Sequence, residues 1–209
     1  YVVADGLGGH AAGEVASRIV VAAVHDMANA GEPIDTAALK SAVLRANQQV
    51  LDAAAKNSAY EGMGSTATVL HIDEDAQTAC YAHVGDSRLY LLRAGALRRI
   101  SRDHSYVEEL VARGELSEAE AQHHPRKNYL LRAVGVEERL HVDGDTFPVM
   151  AGDRFLLATD GLTNMVEDAD LCALLGGNPD DAARQMVERA LDAGGTDNVT
   201  AIVIACDPS

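Results

Sequence analysis

Four aspartates stand at the ends of apolar runs in this chain, and acids so placed are candidates for holding a cation. Asp5 follows Tyr-Val-Val-Ala, Asp86 follows Tyr-Ala-His-Val-Gly, and Asp160 follows Arg-Phe-Leu-Leu-Ala-Thr. Asp197 stands just before Val-Thr-Ala-Ile-Val-Ile-Ala. A strand presents such a carboxylate on a rigid backbone. The glycines after Asp5 (Gly6, Gly8 and Gly9) let the main chain come close to whatever that acid holds. If the acids converge, their mutual repulsion forces protonation or cation binding. Oxygen donors suit hard ions, Mg²⁺ or Mn²⁺, rather than zinc. Taken singly, Asp5-Gly6, Asp143-Gly144 and Asp160-Gly161 are ordinary turn pairs. Their placement at strand ends is what points to a site.

Other chemistry has little support. There is no Gly-x-Ser-x-Gly elbow and no cysteine in a phosphate-loop context, so the expected nucleophile is water rather than a side chain. His83 lies in an apolar strand and reads as a satisfied core residue, and His123-His124 lacks the spacing of a zinc site. Gly6-Leu7-Gly8-Gly9-His10-Ala11 matches the dinucleotide-binding pattern G-x-G-x-x-A. However, a second helix follows it instead of a parallel strand, and Asp5 would face a pyrophosphate with like charge. A dinucleotide-binding enzyme is a distant alternative.

The 209 residues, 47% of them apolar, can bury the core of one domain. Seventeen basic residues against 32 acidic ones give a net charge of −15, which argues against a general nucleic-acid binder. Such a chain would repel an anionic substrate unless bound cations reversed the sign locally. No apolar run has membrane-spanning length, and no signal peptide is visible. Cys80, Cys172 and Cys206 are scattered, and read as small buried hydrophobes in a reducing compartment, the cytoplasm.

The apolar periodicity predicts a strand over 1–4, a helix over 10–29, and a second helix capped by Asp35 or Thr36. Short β-branched runs over 66–72, 78–84, 88–92 and 97–100 predict an antiparallel meander. Ser105 to Glu108 and Ser117 to Glu120 are capping-box patterns for two short helices joined at Gly114, and 123–128 is a loop. Strands are expected again over 140–142, 154–158 and 199–205. A short helix should include 171–175, and another should open at Asn178-Pro179. Strand runs with helices gathered in pairs imply an α+β fold, a β-sandwich flanked by helices.

The segments VVADGLGGHAAGEVAS, GMGSTATVL, AHVGDSRLYLL, RDHSYVEELVARGELS, RFLLATDGLTNMV and GGTDNVTAIVI, in that order, resemble the bacterial type of metal-dependent protein serine/threonine phosphatase, the type-2C or PPM family. The resemblance implies two antiparallel sheets between helix pairs, a four-layer α-β-β-α arrangement. It implies hydrolysis of phosphoserine and phosphothreonine in proteins by a water bridging two divalent ions, Mg²⁺ or Mn²⁺, with a third ion more weakly held. Asp5 corresponds to the acid bridging both ions, and the Gly6 carbonyl reaches the second. Asp160 and Asp197 correspond to ligands of the first, and Asp86 to a ligand of the third, shared with Asp160. Leu7 stands where some eukaryotic members carry a proton-donating histidine. Residues 101–128 correspond to a flap in which Arg126 and Lys127 are expected to dock the phosphopeptide. The partners implied are phosphorylated proteins, among them a Ser/Thr kinase and its substrates. The family's phosphate-gripping arginine and further acids lie on a strand before the position of Tyr1. The chain is therefore expected to be a fragment or processed product of a single catalytic domain, 1–209, lacking that strand. An inactive metal-binding regulatory module of the same fold is the alternative.

Overall fold

A computed structural model describes residues 1–206. The chain opens with two short strands, β1 (Val2–Val3) and β2 (Gly6–Leu7), and then two long helices, α1 (His10–Ala28) and α2 (Thr36–Lys56). Asp35 is the cap of α2, its carboxylate accepting from the Ala38 N–H at 2.8 Å. A 3₁₀ turn (Ser58–Tyr60) leads to β3 (Gly64–Ser65), β4 (Ala67–Asp73), β5 (Thr78–Val84), β6 (Arg88–Arg93) and β7 (Ala96–Arg99). Next come α3 (Tyr106–Ala112), α4 (Glu118–Gln122), β8 (Thr146–Pro148), β9 (Arg154–Ala158), α5 (Asp160–Thr163), α6 (Asp168–Gly176), α7 (Pro179–Asp192) and β10 (Ala201–Ala205).

The strands form two antiparallel four-stranded sheets, β1-β4-β5-β8 and β10-β9-β6-β7, with β2 and β3 as a separate pair. Three apolar layers account for the architecture. Leu70 and Ala79 of the first sheet meet Leu89, Leu91, Phe155 and Leu157 of the second in the sandwich interior. The outward faces are apolar as well. Val69, Cys80 and Ala82 pack under α1 and α2, while Tyr90, Leu92, Leu156 and Ala158 pack under α6 and α7. Because strand side chains alternate, burial on both faces makes β6 and β9 continuous apolar runs, with Leu89 and Leu91 inward and Tyr90 and Leu92 outward. The observed layers are the four expected, α-β-β-α.

Several local expectations change. The strands from 66 to 100 are not one meander: β4–β5 and β6–β7 are hairpins in different sheets, and Gly85-Asp86-Ser87 carries the chain between them. Gly85 has φ +106°, and an added Cβ would strike Thr66, so only glycine makes that crossing. Residues 140–142 form no strand. Asp143 makes only an isolated bridge to His83, and the pairing partner of β5 is β8. Ser117 and Glu120 form a complete capping box, whereas Glu108 of the Ser105 pattern turns its carboxylate to Arg99 and Arg102. The closing strand β10 is an edge strand and mostly half-buried, and Cys172 and Cys206 are half-buried rather than buried. A Rossmann turn is excluded, since β2 pairs antiparallel with Gly64–Ser65 and both sheets are antiparallel throughout. No helix among the described residues is long and apolar enough to cross a membrane.

Candidate active site

The sheet registers bring the expected acids to one end of the sandwich. Asp5 leaves β1 there, Asp86 lies in the crossover, Asp160 begins α5 directly after β9, and Asp197 precedes β10. All four, with the Gly6 backbone, line a single cleft of about 610 Å³. Glu14 and Ser17 of α1 and Asn128 and Leu130 complete its walls. Asp86, Asp160 and Asn128 also face a second cavity of about 470 Å³ beneath α3 and α4. Lys127 lines that second cavity. Arg126 instead lays its guanidinium 5.8 Å from the Tyr106 ring centroid, so the two basic residues point to different surroundings.

Asp5 is fixed through its own backbone, and the other acids through neighbouring residues. The Asp5 N–H donates to Thr66 Oγ1 at 2.9 Å, and the Asp5 carbonyl accepts from the Thr66 N–H at 2.8 Å. Thr66 Oγ1 also meets Ser87 Oγ at 2.7 Å, so one buried threonine ties the Asp5 strand end to the Asp86 turn. Asp160 and Asp197 are registered by Thr159: its N–H donates to the Thr200 carbonyl at 3.1 Å, and its hydroxyl accepts from the Thr200 N–H at 3.1 Å. Gly161 lies against the Asn198 carbonyl with no room for a Cβ. Gly6 is packed equally tightly on the backbone of Gly13, which seats α1 against β2. Arg88 is not in the cleft. It forks onto Asp103 at 2.7–3.1 Å and reaches the Tyr90 hydroxyl at 3.1 Å, bracing the base of the second cavity. That pairing carries its guanidinium above the ordinary arginine range despite the opposing effect of burial.

Burial and mutual repulsion set the electrostatics of the cleft. Burial and then the charges of Asp160 and Asp197 push the Asp5 carboxyl up to about 7. Burial followed by Asp160, Asp103 and Asp5 does the same to Asp86, also to about 7. Asp160 is raised by burial and by Asp197, and it lies near enough to Asp5 to share a proton with it. Among the described residues no three His, Cys, Asp or Glu side chains close into a cage around one point. The acids repel one another across an open cleft instead, which Gly6 also lines. That all-oxygen donor set fits hard divalent ions, which coordinate water as well as protein.

His83 is the satisfied core residue expected. It is fully buried, with Nε2 donating to the Arg102 carbonyl at 3.0 Å and Nδ1 on the Thr68 hydroxyl at 2.9 Å. Burial pushes its pKa down to about 4, so it is neutral. Thr66, Ser87, Thr159, Asp103, His104 and Asn128 also build the site, without standing out in the sequence as site residues. The first two lie in the Gly-Ser-Thr-Ala-Thr and Gly-Asp-Ser-Arg stretches, whose small hydroxyl residues beside glycine were the available signal.

Residues 1–199 match the protein phosphatase 2C family. The serine/threonine phosphatase stp of Listeria monocytogenes is 38% identical over 213 residues, spanning 99% of this chain and 84% of that protein. The crystal structure of the Mycobacterium tuberculosis serine/threonine phosphatase PstP/Ppp superposes with a TM-score of 0.92 at 36% identity, covering 99% of this chain and 88% of that one. A PstP catalytic domain in complex with two manganese ions gives a TM-score of 0.88 at 35% identity, covering 97% and 85%. With its matching sandwich and its acids gathered at one end of it, this chain belongs to the protein phosphatase 2C family.

Proposed function

We propose that the chain is a metal-dependent protein serine/threonine phosphatase in which Asp5, the Gly6 carbonyl, Asp160 and Asp197 hold two Mg²⁺ or Mn²⁺ ions, and Asp86 with Asp160 a third. The observation that carries this reading is the convergence of four carboxylates from separate strand ends on one cleft, where burial and neighbouring charge raise the carboxyls of Asp5, Asp86 and Asp160. Bound divalent ions supply a water of lowered pKa and neutralise charge on phosphoryl oxygens. The chain's own residues supply placement: Thr66 fixes Asp5, Thr159 fixes Asp160 against Asp197, and Asn128 and Leu130 wall the cleft. Leu7 lines the cleft and has no proton to give to a leaving alkoxide.

On this reading 1–209 acts as one catalytic domain, with 101–128 as a flap over the second cavity. The substrates are phosphoserine and phosphothreonine proteins, which a Ser/Thr kinase must supply, and the kinase itself is a fitting partner. Lys127 offers positive charge in the second cavity, with Arg126 next to it in an acidic chain, and neither forms an ion pair with an acid among the described residues. A cytoplasmic setting suits both the kinase chemistry and the scattered cysteines Cys80, Cys172 and Cys206.

The test is Mn²⁺-dependent hydrolysis of an aryl phosphate and of a phosphoserine peptide. Asp160→Asn is expected to lower both by more than the roughly 10–100-fold typical of a change just outside a metal's ligands. Turnover within twofold of wild type would refute the assignment.

A further inference from the structure

We propose that His104 is a positioning residue, whose Nδ1 lone pair holds the Asp86 turn in register with the root of the flap. This rests on the reading that Asp86 holds a cation. The crossover Gly85-Asp86-Ser87 begins where β5 ends, so the Gly85 N–H has no ladder partner. It donates to His104 Nδ1 at 3.1 Å, and the His104 N–H returns a bond to the Gly85 carbonyl at 2.7 Å. The opposite edge of the ring, Nε2–H, donates to Asp143 Oδ2 at 3.1 Å. Asp143 is held in turn by Arg132 at 3.1 Å and lies 3.3 Å from His141. The carboxylate thereby fixes the tautomer that leaves Nδ1 free to accept. The His104 carbonyl accepts from the Leu131 N–H at 2.8 Å, and Tyr106 N–H donates to the Tyr129 carbonyl at 2.8 Å, closing the two ends of the flap on each other. One side chain, 2% exposed, thus joins the Asp86 turn, the flap root and the 141–143 segment.

Imidazole is suited to this because it offers an acceptor on one edge and a donor on the other. The two edges can be separated by substitution. In His104→Asn the amide oxygen takes the place of Nδ1 and keeps an acceptor for Gly85, but the contact with Asp143 is lost. In His104→Gln the amide nitrogen reaches as far as Nε2 and keeps the donor to Asp143, but Gly85 N–H is left buried without an acceptor.

Calorimetric titration with Mn²⁺ alone reads the effect, with Asp86→Asn defining the weaker uptake. His104→Asn is expected to keep that uptake within about twofold of wild type, and His104→Gln to weaken it about tenfold, as an orphaned buried donor would. Equal losses in the two variants, or no loss in His104→Gln, would overturn the proposal. Should either variant fail to give a cooperative melt, nitrogen-15 spectra of the wild-type protein decide. A protonated Nε2, a bare Nδ1 and scalar coupling from the Gly85 amide into Nδ1 are expected; a protonated Nδ1 overturns it. Wild-type protein that takes up no Mn²⁺ would overturn the cation reading itself and this inference with it. Normal wild-type uptake with indifferent His104 variants overturns this inference alone.

Discussion

Replacing Asp160 by asparagine should stabilise the chelator-treated protein while removing its activity. The Asp5 carboxyl is pushed from 3.8 to about 7, first by burial and then by Asp160 and Asp197. That interval of about 3 pH units is worth at most about 4 kcal/mol, at about 1.4 kcal/mol each. Burial persists in the variant, and solvent reaching the cleft screens the remainder, leaving about 1–2 kcal/mol for the loss of one neighbouring charge. A raised carboxyl binds its proton more tightly in the folded than in the unfolded chain, so its contribution to stability falls as pH rises from about 4 through about 7. Asp160→Asn should therefore melt about 3–6 °C above wild type at pH 8 in chelator. The gain should shrink towards zero at pH 5, where the Asp5 and Asp86 carboxyls hold their protons. Asn164 Nδ2 donates to Asp160 Oδ2 at 3.0 Å, a bond that the asparagine oxygen can still accept, so the substitution carries little other cost. Added Mn²⁺ should reverse the order, raising the wild-type melting temperature and leaving the variant nearly unmoved. Calorimetric scans at both pH values, with and without Mn²⁺, make the measurement. A variant melting at or below wild type at pH 8 in chelator would refute the claim that these carboxylates repel one another.

Gly6→Ala would drive a methyl group into the backbone of Gly13 and push α1 off β2. A loss of about 1–3 kcal/mol should accompany weakened Mn²⁺ activation, read by melting and by Mn²⁺ titration of aryl phosphate turnover. Charge reversal of Arg126 and Lys127 together should raise KM for a phosphoserine peptide about fivefold more than KM for an aryl phosphate, since rim charges act on encounter. Equal changes for the two substrates would show that these residues do not dock the peptide.

The large features were legible because they follow from side-chain alternation and helical spacing. Helix α1 appears nearly at its observed limits and α2 and α7 start where expected, with Asn178 capping α7 through the Asp180 N–H at 3.2 Å. The five predicted ligand positions share one cleft because each acid flanks a strand that is itself easy to recognise. What escaped was pairing. Nothing local in Thr78 to Val84 says that its next neighbour is Thr146–Pro148 rather than Arg88–Arg93, since both candidate partners are short and turn-bounded. The choice is made by Gly85 and Thr66, residues distant in sequence that meet only in the folded chain. His104 escaped for the same reason: its partners are Gly85 and Asp143, neither near it in sequence.

The site is assembled across the sandwich, which gives cation binding a structural consequence. Asp5 arrives on the first sheet, Asp160 and Asp197 on the second, and Asp86 on the β5–β6 crossover between them. No pair drawn from both sheets can converge until Leu70 and Ala79 have packed on Leu89, Leu91, Phe155 and Leu157. The inter-sheet core therefore forces together acids that repel, and burial of its apolar side chains must offset that repulsion. A cation bridging Asp5 and Asp160 would connect the two sheets through the same carboxylates that otherwise push them apart. Binding free energy at such a site is also folding free energy. An acidic chain can on these terms serve an anionic substrate: the charge that would repel phosphate is first spent on recruiting the ions that attract it.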